Sequence, residues 1–334
     1  MSNISRRQLI AGAAGLAATG LILGSATRAS AQDLRKLVVT EPGHSTDSLP
    51  FYVGIRKGFY KEVGLDIELV TSEGGGKAMG AVQSGNADAY IGGPEHIAFA
   101  NVKGGKPVRG VIALSNRANS FLVARTGIEI DPAKSFAENI KGKRIAVGTR
   151  GGTGYSILLY LLARDGLDPR ADVTLLEIAT NAGSVAAMQN GEADLAMVSE
   201  PTISQGVKTG IWQPPFAGMP SELGPFAWTT VNLPQELIAA EPELVKSIVA
   251  ATKKSLALVF EDEAEMRAIA AEEFPTLPAD DLDAILTSAR NNDMWQQDGA
   301  MPEEAWQKTL SIITISGMID QDVPYSDVFD PSFL

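Results

Sequence analysis

Cysteine is absent from all 334 residues. No disulfide can brace the chain and no thiol is available for lipid attachment. Bacterial lipoprotein anchoring is therefore excluded, and stability has to come from the hydrophobic core alone. Histidine is scarce as well: His44 and His96 are the only two, so an all-histidine metal site is not available. Basic residues are few against acidic ones, 28 Lys and Arg facing 40 Asp and Glu, for a net charge of −12. That balance argues against nucleic acid and anionic membrane as partners and for a freely diffusing protein.

What is present begins with Ser5-Arg6-Arg7-Gln8-Leu9-Ile10, followed by a Gly- and Ala-rich apolar run that ends in Ala29-Ser30-Ala31. The arrangement is that of an export signal occupying residues 1–31, cleaved near Ala31, with an arginine pair resembling the twin-arginine type although Leu9 stands where Phe is common. Leu9 to Ala26 has barely enough residues to span a bilayer, so a membrane anchor is the alternative. Loss of Arg6, Arg7 and Arg28 with the signal leaves 25 basic residues against 40 acidic ones, a charge of about −15. At 45% hydrophobic content the remainder is globular, and its length suits about two domains.

A stretch is used twice. Ala81-Val82-Gln83-Ser84-Gly85-Asn86-Ala87-Asp88-Ala89-Tyr90-Ile91-Gly92-Gly93-Pro94-Glu95 returns from Ala187 to Pro201, with Ala187, Gln189, Gly191, Ala193 and Asp194 identical at one constant offset. Each copy reads as a helix end, a glycine suited to the left-handed cap, and a short apolar strand closing on a small-residue loop. Loops beyond the carboxyl ends of parallel strands are where ligands sit in open sheets, so both loops are candidate walls of one cleft.

Other elements follow the same order in both halves. Strands are expected at Leu34–Thr40, Leu65–Val70, Gly142–Val147 and Val173–Ile178, and helices at Phe51–Lys57 and Tyr155–Arg164. Val108–Leu114 and Phe121–Arg125 read as strands joined by a first crossover, Ser115-Asn116-Arg117-Ala118-Asn119-Ser120. Pro-rich sequence up to Gly224-Pro225 precedes a returning strand at Phe226–Val231, the second crossover. Helices from Glu243 onward, the last spanning Pro302–Ser316, are expected to pad the first lobe. The lobes are then residues 32–116 plus 227–334, and residues 117–226.

Site candidates come from these loops. Gly148-Thr149-Arg150-Gly151-Gly152-Thr153-Gly154 before Tyr155 offers backbone N–H groups at a helix start, an oxyanion site needing no charged side chain; a turn with a polar cap is the plain alternative. No Gly-Lys-Ser/Thr follows at the spacing of a Walker loop. His44, Ser45, Thr46 and Ser48 occupy the equivalent loop of the first half, where hydroxyls could complete a cage or simply be solvated. Glu95 and Glu200 close the repeated strands, with Arg117, Arg150 and Lys77 near the loop mouths. Either glutamate could hold an ammonium, or they could form cross-lobe ion pairs. Gly93, Asn116 and Asn181 are further candidate contacts. Phe51, Tyr52, Tyr155, Phe226 and Trp228 could supply apolar walls, or core.

Leu49-Pro50-Phe51-Tyr52-Val53-Gly54, Lys57-Gly58-Phe59-Tyr60, Gly64-Leu65-Asp66-Ile67-Glu68-Leu69, the Gly-rich turn at Gly74, Ser84-Gly85-Asn86-Ala87-Asp88 and Gly142-Lys143-Arg144-Ile145-Ala146-Val147 together resemble periplasmic solute-binding proteins of ABC importers, in the nitrate, sulfonate, taurine and pyrimidine-precursor group. The resemblance covers about Leu34 to Val231. It implies an α/β, two-lobed periplasmic-binding-protein fold of type II, each lobe a mixed, mainly parallel sheet flanked by helices, with two interlobe crossovers. It further implies a monomer without cofactor or metal that closes on a small organic anion and delivers it to an inner-membrane ABC permease. A pyrimidine or aromatic carboxylate is the alternative ligand. An enzyme on the same scaffold is the rival class. Against it stand the missing cysteine, the two histidines and the lack of a Ser-His-Asp or metal-ligand pattern. A ligand sensor docking to a membrane receptor would share every feature.

Overall fold

The computed structural model describes residues 34–72 and 74–334; the expected export signal lies outside them. Among the described residues ten strands form two five-stranded sheets. β1 (Arg35–Glu41), β2 (Leu65–Thr71), β3 (Ala89–Gly92) and β4 (Val108–Ser115) belong to the first sheet. β5 (Phe121–Ala124), β6 (Arg144–Val147), β7 (Thr174–Glu177), β8 (Leu195–Val198) and β9 (Ala217–Gly218) make the second, and β10 (Thr229–Pro234) returns to the first. The orders are β2-β1-β3-β10-β4 and β7-β6-β8-β5-β9. In each sheet three strands run parallel, and the strand set antiparallel beside the third arrives from the other lobe. The lobes are thereby stitched twice.

Strand side chains alternate between two cores in each lobe. Leu37, Val39 and Ile91 face one first-lobe core while Tyr90 faces the other. Ile145, Val147, Leu195 and Met197 face one second-lobe core, and Ala146, Ala196 and Val198 the other. Burial on both faces explains why these strands read as continuous apolar runs rather than alternating ones.

The duplicated stretch folds alike in both places. Gly85 (φ 78°) and Gly191 (φ 71°) take the left-handed conformation that ends helices Gly75–Ser84 and Asn181–Gln189. Asp88 then accepts the Val38 N–H at 2.8 Å, and Asp194 accepts the Arg144 N–H at 3.0 Å, so each repeat fastens its strand to the parallel neighbour.

Two expectations shift. The returning strand starts at Thr229 rather than Phe226 because Phe226 and Trp228 donate their N–H groups to the carbonyls of Asn116 and Ser115 (3.0 and 3.2 Å). The two crossovers are thus bonded side by side before either joins a sheet. The C-terminal helices also do more than pad the first lobe. On helix Glu303–Ile315, Trp306, Leu310 and Ile313 pack into a first-lobe core while Ile312 packs into the second lobe, and Asp281 of helix Ala279–Asn291 pairs with Lys208 at 3.0 Å. Among the described residues no helix is long and apolar enough to cross a membrane.

Candidate functional site

Between the sheets the loops beyond the strand ends enclose two small compartments that share one wall, Trp228 of the returning crossover. The first, about 250 Å³, is lined from the first lobe by Ser45, Asp47, Ser48, Tyr90, Gly93, Glu95 and His96, and from the second by Thr153. The second, about 160 Å³, is lined by Asn119, Gly154, Thr180, Asn181, Ser184 and Ser199. Among the described residues no lysine or arginine lines either one.

Glu95 is the centre of the first compartment. It begins helix Glu95–Val102 just past β3 and is 1% exposed. Its Oε1 accepts the Thr153 hydroxyl at 2.5 Å, a direct bond between lobes, and lies 3.3 Å from His96 Nδ1. Its Oε2 is buried without a partner. Burial works to raise this carboxyl; the adjacent His96 charge and the bonds from His96 and Thr153 outweigh it and hold Glu95 below the ordinary carboxylate range. A buried carboxylate oxygen with no partner is costly unless something donates to it. The space for the carboxylate exists because residue 93 is glycine, since a Cβ there would overlap it. Asp47, in the loop after β1, accepts from Thr229 at 2.7 Å and from Ser45.

The second compartment is uncharged. Gly154 lies in the first turn of helix Thr153–Arg164; Asn181 and Ser184 lie in the first turn of helix Asn181–Gln189, whose cap Thr180 accepts from the Gly183 N–H at 3.1 Å. Asn119, 3% exposed in the first crossover, has an unpartnered Nδ2.

Of the residues expected from the sequence, Ser45, Ser48, Gly93, Glu95, Thr153 and Trp228 meet in the first compartment, and Gly154 and Asn181 line the second with Trp228. The others lie elsewhere. His44 is held between Glu41 (3.1 Å) and Glu273 (3.2 Å) and stacks on Tyr52. Phe51 is core, packed on Tyr60. Arg150 donates to the Tyr155 hydroxyl at 3.2 Å, Tyr155 packs in a second-lobe core, neither lines the compartments, and Gly152 caps its helix. Arg117 donates to the Asn116 carbonyl (3.2 Å), while Asn116 ties the crossover to Gln296 and Ala300. Glu200 accepts twice from Ser204 and lines a separate groove of about 540 Å³ beside helix Ala279–Asn291; burial raises its pKa despite the Ser204 bonds. The repeat offers a reason: Pro94-Glu95 becomes Glu200-Pro201, which sets the second glutamate one position earlier. Asp47, Tyr90, Asn119, Thr180 and Ser184 are lining residues that spacing did not single out. A hint lay in Asn119's place within a crossover.

Two α/β lobes, stitched by paired crossovers and walling a polar cleft between their strand ends, define the two-lobed periplasmic-binding-protein fold. The particular family is equally plain: the chain belongs to the NMT1/THI5-like family, whose description matches residues 45–266. YtlA of Bacillus subtilis, named as a binding protein without a ligand, is 26% identical over 299 residues, covering 89% of this chain and 88% of YtlA. The riboflavin-binding protein RibY of Chloroflexus aurantiacus is 23% identical, covering 85% and 82%. The alkanesulfonate-binding protein SsuA of Xanthomonas axonopodis pv. citri, solved bound to MOPS, superposes with a TM-score of 0.72 at 18% identity, covering 90% of this chain and 99% of that one. That likeness shows the fold.

Proposed function

We propose that this chain is the periplasmic solute-binding component of an ABC importer. It captures a small organic anion of the sulfonate or taurine type between lobes 32–116 plus 227–334 and 117–226, then presents the closed form to an inner-membrane permease as a monomer. Export through the Arg6-Arg7 signal, with cleavage near Ala31, completes the reading. It supposes no catalysis.

The observation that carries it is Glu95: buried, bonded to the opposite lobe through Oε1, and free at Oε2. A solute donating to Oε2 makes contacts that exist fully only when both lobes surround it, which is what biases the closed state. The same residue narrows the ligand class. A bare anion such as nitrate or an alkanesulfonate would face Asp47 and Glu95 with no lysine or arginine in the lining and with His96 already paired to Glu95, whereas an anion that also bears a donor nitrogen satisfies Glu95. Trp228, shared by both compartments, favours a pyrimidine or aromatic carboxylate as the second reading.

The test is thermal unfolding of the signal-free chain with taurine, alkanesulfonates, nitrate, aromatic carboxylates and pyrimidines. A true ligand at a hundredfold excess over its dissociation constant should add about 2.7 kcal/mol of stability. Glu95→Gln should cut that ligand's affinity by roughly ten- to a hundredfold, as loss of a charged hydrogen bond does. If no compound of any class shifts the midpoint and the purified protein carries no solute, capture is not what this cleft does.

A further inference from the structure

We infer that the captured solute is two-ended, with a cationic or N–H donor against Glu95 and an oxyanion in the second compartment against Asn119. This rests on the proposed capture function and assigns the two halves of the cleft to opposite ends of one molecule. Two buried polar atoms are left without partners on either side of Trp228. Glu95 Oε2 can only accept, and Asn119 Nδ2 can only donate. Their surroundings reinforce the difference. Around Glu95 the lining adds the carboxylate of Asp47. Around Asn119 there is no charged side chain of either sign. Two helices start there instead, at Thr153 and Asn181, of 12 and 9 residues. Each brings unpaired N–H groups and about half a positive charge to its first turn.

An ammonium placed in the second compartment would meet donors and positive helix ends. An oxyanion placed in the first would meet two carboxylates, and the one basic side chain there, His96, is already held against Glu95 Oε1 at 3.3 Å. Only one orientation of a dipolar solute satisfies both, and Trp228, which borders both spaces, is the surface its middle crosses. The first compartment's neighbour, Thr153, and the second's, Gly154, are consecutive residues, so one helix start separates the two ends.

The experiment is calorimetric titration of the signal-free chain with ω-aminosulfonates and ω-amino acids of two to five methylenes, against alkylamines, alkanesulfonates and α,ω-diamines of matched length. Two-ended acids should bind at least tenfold tighter than either one-ended analogue. Asn119→Leu should reduce them to the affinity of the alkylamine, and Asn119→Asp should invert the preference in favour of the diamine. Melting curves of both variants verify that they fold. Should the alkylamine bind as tightly as the two-ended acid, or both Asn119 variants bind it like the parent, the assignment of the second compartment is wrong. Should the whole series fail while the purified chain yields a different bound solute by mass spectrometry, the two-ended ligand is overturned and capture stands. Failure of the series with no bound solute overturns both.

Discussion

His44 shows how a residue's neighbours rather than its loop decide what it does. Placed in the loop expected to touch solute, it instead donates toward Glu41 and Glu273 while its ring stacks 4.2 Å from Tyr52. Burial lowers its pKa, but the bonds to Glu273 and Glu41 and their charges outweigh that and raise it to about 9 from 6.5. Glu273 is held low in return, by His44 first and by Arg56 as well. A histidine whose folded value exceeds its unfolded one stabilises the fold fully below the unfolded value, and the contribution drains as pH climbs through the folded one. The unfolding midpoint should therefore fall between pH 6.5 and about 9, and His44→Gln should flatten that dependence. Equal slopes for the two proteins in urea titrations across this window would place the ionisation elsewhere.

At the scale of elements, the repeated aspartates do parallel work with unequal support. Asp88 accepts one backbone N–H from Val38. Asp194 accepts the Arg144 N–H and also its guanidinium at 2.7 Å, with Arg125 at 3.4 Å. The Arg144 bond is the main reason Asp194 titrates at about 2. Asp88→Ala should cost about 1 kcal/mol, the low end of the range for removing one partner of a hydrogen bond since this one is part-buried, and Asp194→Ala more, because two guanidiniums lose their acceptor. Urea denaturation measures both. Asp194's share is present above pH 3.8 and is lost as pH falls through about 2, so Asp194→Ala should converge on the parent in strong acid.

For the whole molecule, contacts away from the crossovers also join the lobes, among them Glu95 with Thr153, Lys208 with Asp281, Lys308 over the Tyr160 ring at 5.8 Å, and Ile312 in the second-lobe core. They differ in weight. Lys208 is 56% exposed, and such pairs contribute about 0–1 kcal/mol, whereas a hydroxyl on the buried Glu95 carboxylate contributes about 1.5–3 kcal/mol. Thr153→Val should accordingly open the lobes more than Lys208→Ala, seen as a larger radius of gyration in small-angle scattering. The motion would pivot on the bonded pair of crossovers at Ser115–Asn116 and Phe226–Trp228. A radius unchanged by Thr153→Val would mean that packing at Ile312, not the polar bond, holds them.

Much of this plan was written locally. The duplicated helix-cap-strand unit, the glycines that take left-handed φ and the apolar strands depend on neighbours a few residues away, so periodicity and one constant offset exposed them, along with Glu95 at the end of its strand. Which loop side chains meet was decided only by tertiary structure. Asn119, in a crossover bonded to the returning one, lines the second compartment; Arg150 and Tyr155, bonded to each other, do not. A loop side chain's direction is set by partners distant in sequence, and no spacing along the chain encodes which partners folding will supply.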